Sequence, residues 1–156
     1  FRFMLYSLLV IYKAQMYETF PKFASVLKIY RMNQHSCLLC LGSNSNRHFH
    51  MEEARKALKE SFPTIRFGEE MTTEAIGDKF LSPFSNQVAK LETSLTIEEI
   101  RSLLKKIEKD NGRLPEDKEQ GIVKLDIDLL KFDDLILKPN DMEKDYVLEG
   151  ISSLQA

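Results

Sequence analysis

Apolar positions along the chain keep two different periods, and the switches between them mark the elements. Cys37-Leu38-Leu39-Cys40-Leu41 is a continuous apolar run of strand length, closed by the turn-rich Gly42-Ser43-Asn44-Ser45-Asn46. Met51, Ala54, Leu58 and Phe62 then recur at spacings of three and four, one stripe of a helix that Pro63 stops. Residues 65–76 read as extended, with Thr72 and Thr73 at their centre, and 77–83 as a loop. From Phe84 to Glu92 the period is two. Phe84, Asn86 and Val88 share one face, while Ser85, Gln87, Ala89 and Leu91 share the other. The second helix has the fullest signature: Thr96 as N-cap, Glu99 completing a capping box, a stripe of Ile97, Ile100, Leu104 and Ile107, and Asn111-Gly112 as the stop. A polar loop over 113–123 leads to a last strand over 124–132.

Strand, helix, strand, strand, helix, strand is the split βαβ pattern of ferredoxin-like folds. The expected class is therefore α+β: a βαββαβ sandwich with an antiparallel sheet, both helices on one face and the other face left for a ligand. That fold hosts many activities, so function has to come from side chains.

The last strand supplies the sharpest of these. In Lys124-Leu125-Asp126-Ile127-Asp128-Leu129-Leu130, the leucines and isoleucine at odd positions point one way and Asp126 and Asp128 the other. Two residues of rise set the carboxylates about 6–7 Å apart at the backbone, within reach of a common pair of hard cations such as Mg²⁺. An acidic pair on an apolar strand is costly unless neutralised. The plainer alternative is an edge strand with solvated aspartates, and the pair by itself decides neither.

Composition narrows the classes further. The 156 residues suit one core-forming domain. Charge is unevenly spread: residues 1–31 carry a net +4 and residues 32–156 a net −6. An acidic body argues against a nucleic-acid partner. The greasy, aromatic-rich opening segment is too short for a membrane span. The chain begins at Phe1, and the expectation is that Met32 is the natural start, with residues 1–31 an upstream-translated extension and 32–156 the working domain. Cys37 and Cys40 lie three apart on a strand, facing opposite sides, which suits neither a redox pair nor a shared metal. Free thiols fit a cytoplasmic setting.

Four separated segments carry a resemblance. They are Leu41-Gly42-Ser43-Asn44 after the first strand, Phe84-Ser85-Asn86-Gln87-Val88-Ala89, the helix end Ile107-Glu108-Lys109-Asp110-Asn111-Gly112-Arg113, and Leu125-Asp126-Ile127-Asp128-Leu129-Leu130. In order and spacing the chain resembles the 6-hydroxymethyl-7,8-dihydropterin pyrophosphokinase family from about Cys37 to Ile151. The resemblance implies transfer of pyrophosphate from ATP to the hydroxymethyl group of the pterin, with release of AMP, by a monomer acting on two small molecules. It implies two Mg²⁺ ions on Asp126 and Asp128. Asn86 would read the pterin's amide edge and Phe84 would stack on it, with Thr73, Ile76 and Tyr146 completing the pocket, or with Val147 replacing the family's aromatic. Glu108 and Arg113 would line the ATP site, with Lys118 and Lys124 standing where the family uses arginines. Gly42, Ser43 and Asn44 would form the turn.

Each of these residues also has a structural reading: Phe84 as core, Asn86 as a solvated strand residue, Glu108 and Arg113 as helix-end charges, Gly42-Ser43-Asn44 as a turn by composition. The chain departs from the family pattern in two places. The 114–123 loop holds Glu116, Asp117 and Glu119 but no arginine, and Pro139-Asn140-Asp141-Met142-Glu143-Lys144-Asp145-Tyr146 lacks the family's histidine and arginine. Two readings follow: a compact, divergent pyrophosphokinase, or a non-catalytic relative that binds a pterin, a nucleotide or a protein.

Overall fold

Six elements form where the apolar periods place them. β1 (His35–Ser43), α1 (Arg47–Ser61), β2 (Arg66–Thr73), β3 (Phe84–Thr93), α2 (Ile97–Asp110) and β4 (Asp126–Phe132) follow one another in the expected order. A two-residue strand β5 (Leu135–Ile136), a single turn α3 (Pro139–Met142) and a helix α4 (Asp145–Ser153) come after them. The structure, a computed structural model, describes residues 33–75, 80 and 82–155. The proposed upstream extension, Met32 and Ile76 lie outside the described residues, as does the Lys118 side chain.

The sheet is antiparallel throughout, in the order β2-β3-β1-β4-β5. Its first four strands have the ferredoxin-like arrangement. Leu39, Leu41, Ala89, Leu91, Ile127 and Leu129 point to one face and meet Met51, Ala54 and Leu58 of α1 and Ile100, Leu104 and Ile107 of α2. The capping box of α2 is closed as read: the Thr96 hydroxyl accepts from the Glu99 N–H at 3.3 Å, and the Glu99 carboxylate accepts from the Thr96 N–H at 2.8 Å. Such a cap is worth about 1 kcal/mol.

The other face is not wholly free. α4 lies on it, placing Val147 against Leu38, Val88 and Leu130, with Ile151 and Leu154 alongside. The helix backbone touches the sheet directly. A Cβ on Gly150 would fall 2.6 Å from Val88 Cγ2, and one on Gly68 would fall 2.6 Å from the Gly150 carbonyl oxygen. Any larger residue at either position would lift the helix away. α4 thus covers β2 and part of β3, and the ligand face shrinks to the region around Gly42.

Cys37 is buried among the helix-facing residues and Cys40 looks to the opposite side, so the pair is unlinked. Among the described residues no helix is long and apolar enough to cross a membrane.

Candidate active site

The sheet register places the key residues in a row. Asn86 on β3 is paired with Gly42 on β1, and Gly42 with Asp126 on β4. One pair along, Val88, Cys40 and Asp128 repeat the alignment. All of these positions face the side opposite α1 and α2. Because Gly42 has no side chain, the middle of the first row is open: a Cβ there would stand 3.2 Å from Asn86 Oδ1. A cleft of about 1200 Å³ opens above the row. Its lining includes Gly42, Thr73, Phe84, Asn86, Arg113, Asp126, Asp128 and Tyr146, eight of the residues singled out from sequence.

On the β3 side the cleft sets a fixed amide beside an aromatic ring. Asn86 is only 8% exposed, and its Nδ2 donates to Thr73 Oγ1 at 2.8 Å, which fixes the plane of the amide. Phe84 borders the cleft, backed edge-on by Phe80 at 5.3 Å between ring centroids. Across the opening, Tyr146 at the start of α4 lines the cleft while Val147 is buried beneath it. Burial raises the Tyr146 phenol above its ordinary value, so it stays a neutral hydroxyl. Burial, reinforced by Asp128, pushes the Cys40 thiol up to about 12, so the cleft holds no thiolate.

On the β4 side each aspartate already has a cation. Arg113 binds one oxygen of Asp126, and Lys138 donates to Asp128 Oδ1 at 2.8 Å. Its hydrogen bond to Asp128 raises the Lys138 ammonium above its ordinary value. Among the described residues the second oxygen of each carboxylate has no hydrogen-bond partner.

Glu108 has a different place from the one expected. It is 2% exposed and lies behind the lining. β5 is too short to pair with the start of β4, so the Ile127 N–H, between the two aspartates, needs an acceptor. Glu108 Oε1 supplies it at 2.8 Å. The same carboxylate pairs with Arg113 and Lys105, each at 2.8 Å, so Glu108 positions Arg113 and the aspartate strand together.

The turn after β1 also does structural work. Asn44 is buried. Its Oδ1 accepts from the Val123 N–H at 2.7 Å, and its Nδ2 donates to the Gly121 carbonyl at 2.8 Å. Gly42 and Ser43, expected in the turn, instead end β1, whose pairing with β3 runs on to Ser43; the buried Ser43 hydroxyl is placed to donate to the Ser45 carbonyl at 3.1 Å and the Val123 carbonyl at 3.3 Å. Together they tie the end of the 114–123 loop to β1. Lys124 does not reach the cleft lining: it pairs with Asp117 at 3.1 Å and donates to the Gly112 carbonyl at 2.9 Å. Asp117 in turn accepts from the Leu114 N–H, and that bond together with Lys124 holds its carboxyl below the usual range.

Sequence reading missed Lys105 and Lys138. The first was legible as an i,i+3 partner of Glu108 on α2. The second had no signal, because its approach to Asp128 depends on the β4–β5 hairpin.

Among the described residues, eight carboxylates and four basic groups line the cleft. A polyphosphate entering alone would be repelled. Hard divalent cations on the free carboxylate oxygens would reverse that, and an all-oxygen donor pair open to further ligands is what Mg²⁺ takes when phosphates complete its shell. The residues present fit such ions. No group of three or more His, Cys, Asp or Glu side chains gathers among the described residues, which leaves the pair and no closed protein cage.

No curated protein matches the chain. Among solved structures it is similar to a de novo designed protein with a ferredoxin fold, LFR1 1, determined by solution NMR. That similarity has 12% identity, covers 60% of this chain and 81% of that one, and has a TM-score of 0.28, too shallow to add to the fold already described. The sequence model that matches residues 38–156 is that of 7,8-dihydro-6-hydroxymethylpterin-pyrophosphokinase (HPPK). The match runs from β1 through α4, over the whole of the register row and the cleft above it, and the chain belongs to the HPPK family.

Proposed function

We propose that the chain transfers a pyrophosphoryl group from ATP to the hydroxymethyl oxygen of 6-hydroxymethyl-7,8-dihydropterin, as a monomer serving folate biosynthesis. The observation that carries this is the row Asn86–Gly42–Asp126, which sets a buried amide and an open glycine beside a carboxylate pair. Asn86 offers the pterin's amide edge a matched donor and acceptor. Phe84 and Tyr146 offer ring faces from two sides of the cleft. In the transfer, the substrate hydroxyl oxygen bonds to the β-phosphorus, the bond from that phosphorus to the α,β-bridging oxygen breaks, AMP leaves with that oxygen, and the hydroxyl proton is lost.

Asp126 and Asp128 would hold two Mg²⁺ ions, whose chemistry is to offset phosphate charge and make the attacking hydroxyl more acidic. The chain's own residues orient and exclude. Arg113, kept in place by Glu108, faces the phosphates with a planar fork, and Lys105 sits beside it. Asn44 keeps the 121–123 segment against β1 as one wall. Positioning and charge compensation are most of what a protein contributes to such transfers.

The carboxylate surplus in the lining supports a second reading, a relative that binds the pterin and turns over slowly or not at all. One assay separates the two. The full chain is incubated with ATP, Mg²⁺ and 6-hydroxymethyl-7,8-dihydropterin, and AMP is measured beside Asp126→Asn and Asp128→Asn. Pterin-dependent AMP that falls at least about 100-fold in either variant is the expected result, each variant losing a transition-state charge contact. A folded chain that binds the pterin and releases no AMP would replace the enzyme reading with the binding one.

A further inference from the structure

Asp126 and Asp128 are equivalent in the alternation of β4 but not in what holds them. Arg113, which binds Asp126, is also paired with the buried Glu108 at 2.8 Å. A ligand that takes over Asp126 leaves Arg113 with its second carboxylate. Lys138 donates only to Asp128 among the described side chains, at 2.8 Å.

The backbone of Lys138 is clamped on both sides. Its own N–H and that of Leu137 donate to the Leu130 carbonyl at 3.3 and 2.9 Å, and its carbonyl accepts from Asp141 and Met142 at 3.2 and 3.1 Å. The ammonium therefore swings on a long flexible stem from a fixed point beside Asp128. The other bases of the lining among the described residues are already engaged: Lys105 and Arg113 with Glu108, and Lys144 with Asp141 at 2.6 Å.

We propose that Lys138 is a tethered counter-ion that a divalent cation displaces from Asp128, and that the released ammonium then binds the anionic ligand in the cleft. The inference rests on the functional reading above in taking Asp128 as a metal-binding carboxylate. Lys138 opposes a cation twice, by occupying Oδ1 and by like-charge repulsion. The pair is partly exposed, 44% at the lysine and 29% at the aspartate, so solvent screens both effects and the opposition is modest. Displacement turns it to advantage, because a free positive charge then stands in a cleft short of them. Metal and anionic ligand bind cooperatively, each helping the other by the same factor.

The probe is Mn²⁺, titrated alone into the full chain by calorimetry or by loss of its free-ion magnetic resonance signal. A non-hydrolysable ATP analogue is then titrated at saturating Mn²⁺. Lys138→Met is expected to bind Mn²⁺ alone about two- to fivefold more tightly, and the nucleotide about two- to fivefold more weakly. Lys138→Arg should restore both. Unchanged or weaker Mn²⁺ binding in Lys138→Met overturns the inference, as does unchanged nucleotide binding. If the wild-type chain releases AMP while the variant's Mn²⁺ affinity is unaltered, this inference alone fails. If the wild-type chain binds no Mn²⁺ with or without nucleotide, the metal reading of the site fails with it.

Discussion

Gly42→Ala separates the cleft from the sheet that carries it. The new Cβ would stand 3.2 Å from Asn86 Oδ1, a few tenths of an ångström tighter than ordinary contact. Asn86 cannot turn aside freely, because its Nδ2 is held by Thr73 at 2.8 Å. The sheet itself has no objection to alanine. Replacing a strand glycine gains about 0.5–1 kcal/mol of backbone entropy, which roughly offsets the tight contact. Stability should therefore change by less than about 1 kcal/mol. Pterin binding should suffer, since the methyl group fills the open middle of the row and displaces the Asn86 carbonyl. A lost hydrogen bond to a buried ligand amide costs about 1–3 kcal/mol, or about 5- to 150-fold in affinity. The assay pairs calorimetric titration of the pterin with thermal melting of the same samples. Pterin affinity within twofold of wild type at unchanged melting temperature would refute the argument. A large drop in melting temperature would refute it differently, by showing that the space above Gly42 belongs to the packed sheet.

Three further outcomes are expected. Glu108→Gln removes the charge shared by Arg113 and Lys105 and should cost about 2 kcal/mol, the scale of a charged hydrogen bond, because the exposed Lys105 stays solvated and Arg113 keeps Asp126. That is a fall of roughly 4–8 °C in melting temperature, and an unchanged melt would show that Glu108 holds nothing. Burial holds the His50 imidazole below its ordinary pKa of 6.5, and Nδ1 has no partner. Its unfolded form thus takes up a proton first, and stability contributed above pH 6.5 is lost as pH falls through that value toward the lower folded pKa. Urea melts between pH 7.5 and 5.5 should show a slope that His50→Gln flattens, and equal slopes would count against it. Finally, with Cys37 and Cys40 raised to about 11 and 12, neither thiol should alkylate at pH 8 without denaturant. Rapid labelling of the native chain, read by mass spectrometry, would contradict that.

The elements legible in the sequence are those whose signal is local. The capping box at Thr96 and Glu99, the period-two faces of β3, and the alternation of β4 each depend on neighbours within one element. α4 was harder. Its stripe of Val147, Gly150, Ile151 and Leu154 has helical spacing, but a glycine occupies the contact point and no side chain caps its start. Gly150 reads as a helix breaker until Gly68 and Val88 are seen beneath it. In the site, one strand period put Asn86 and the two aspartates on their faces, whereas Gly42, read as part of a turn, pairs inside β1 with Asn86 and Asp126. Glu108 and Asn44 were assigned to ligand and turn, whereas both satisfy backbone groups of other segments, Ile127 in one case and residues 121–123 in the other. Which carboxylate meets an orphan N–H depends on where a sheet edge ends, and that is decided by the two residues of β5, which pair only with the end of β4.

Strands bonded side by side lie about 4.8 Å apart, and Asn86, Gly42 and Asp126 occupy one line across three of them. The separation between the amide that would grip the ring and the carboxylate beside its reacting oxygen is therefore two such intervals, roughly 10 Å at the backbone. The sheet is in effect a ruler with peptide hydrogen bonds as its graduations. Changes in the surrounding loops can open, close or recharge the cleft, but they cannot move these marks. A pterin whose oxygen sits one bond too near or too far would be gripped as well as the right one and still present that oxygen at the wrong graduation. Discrimination by length would then fall on turnover and leave binding untouched.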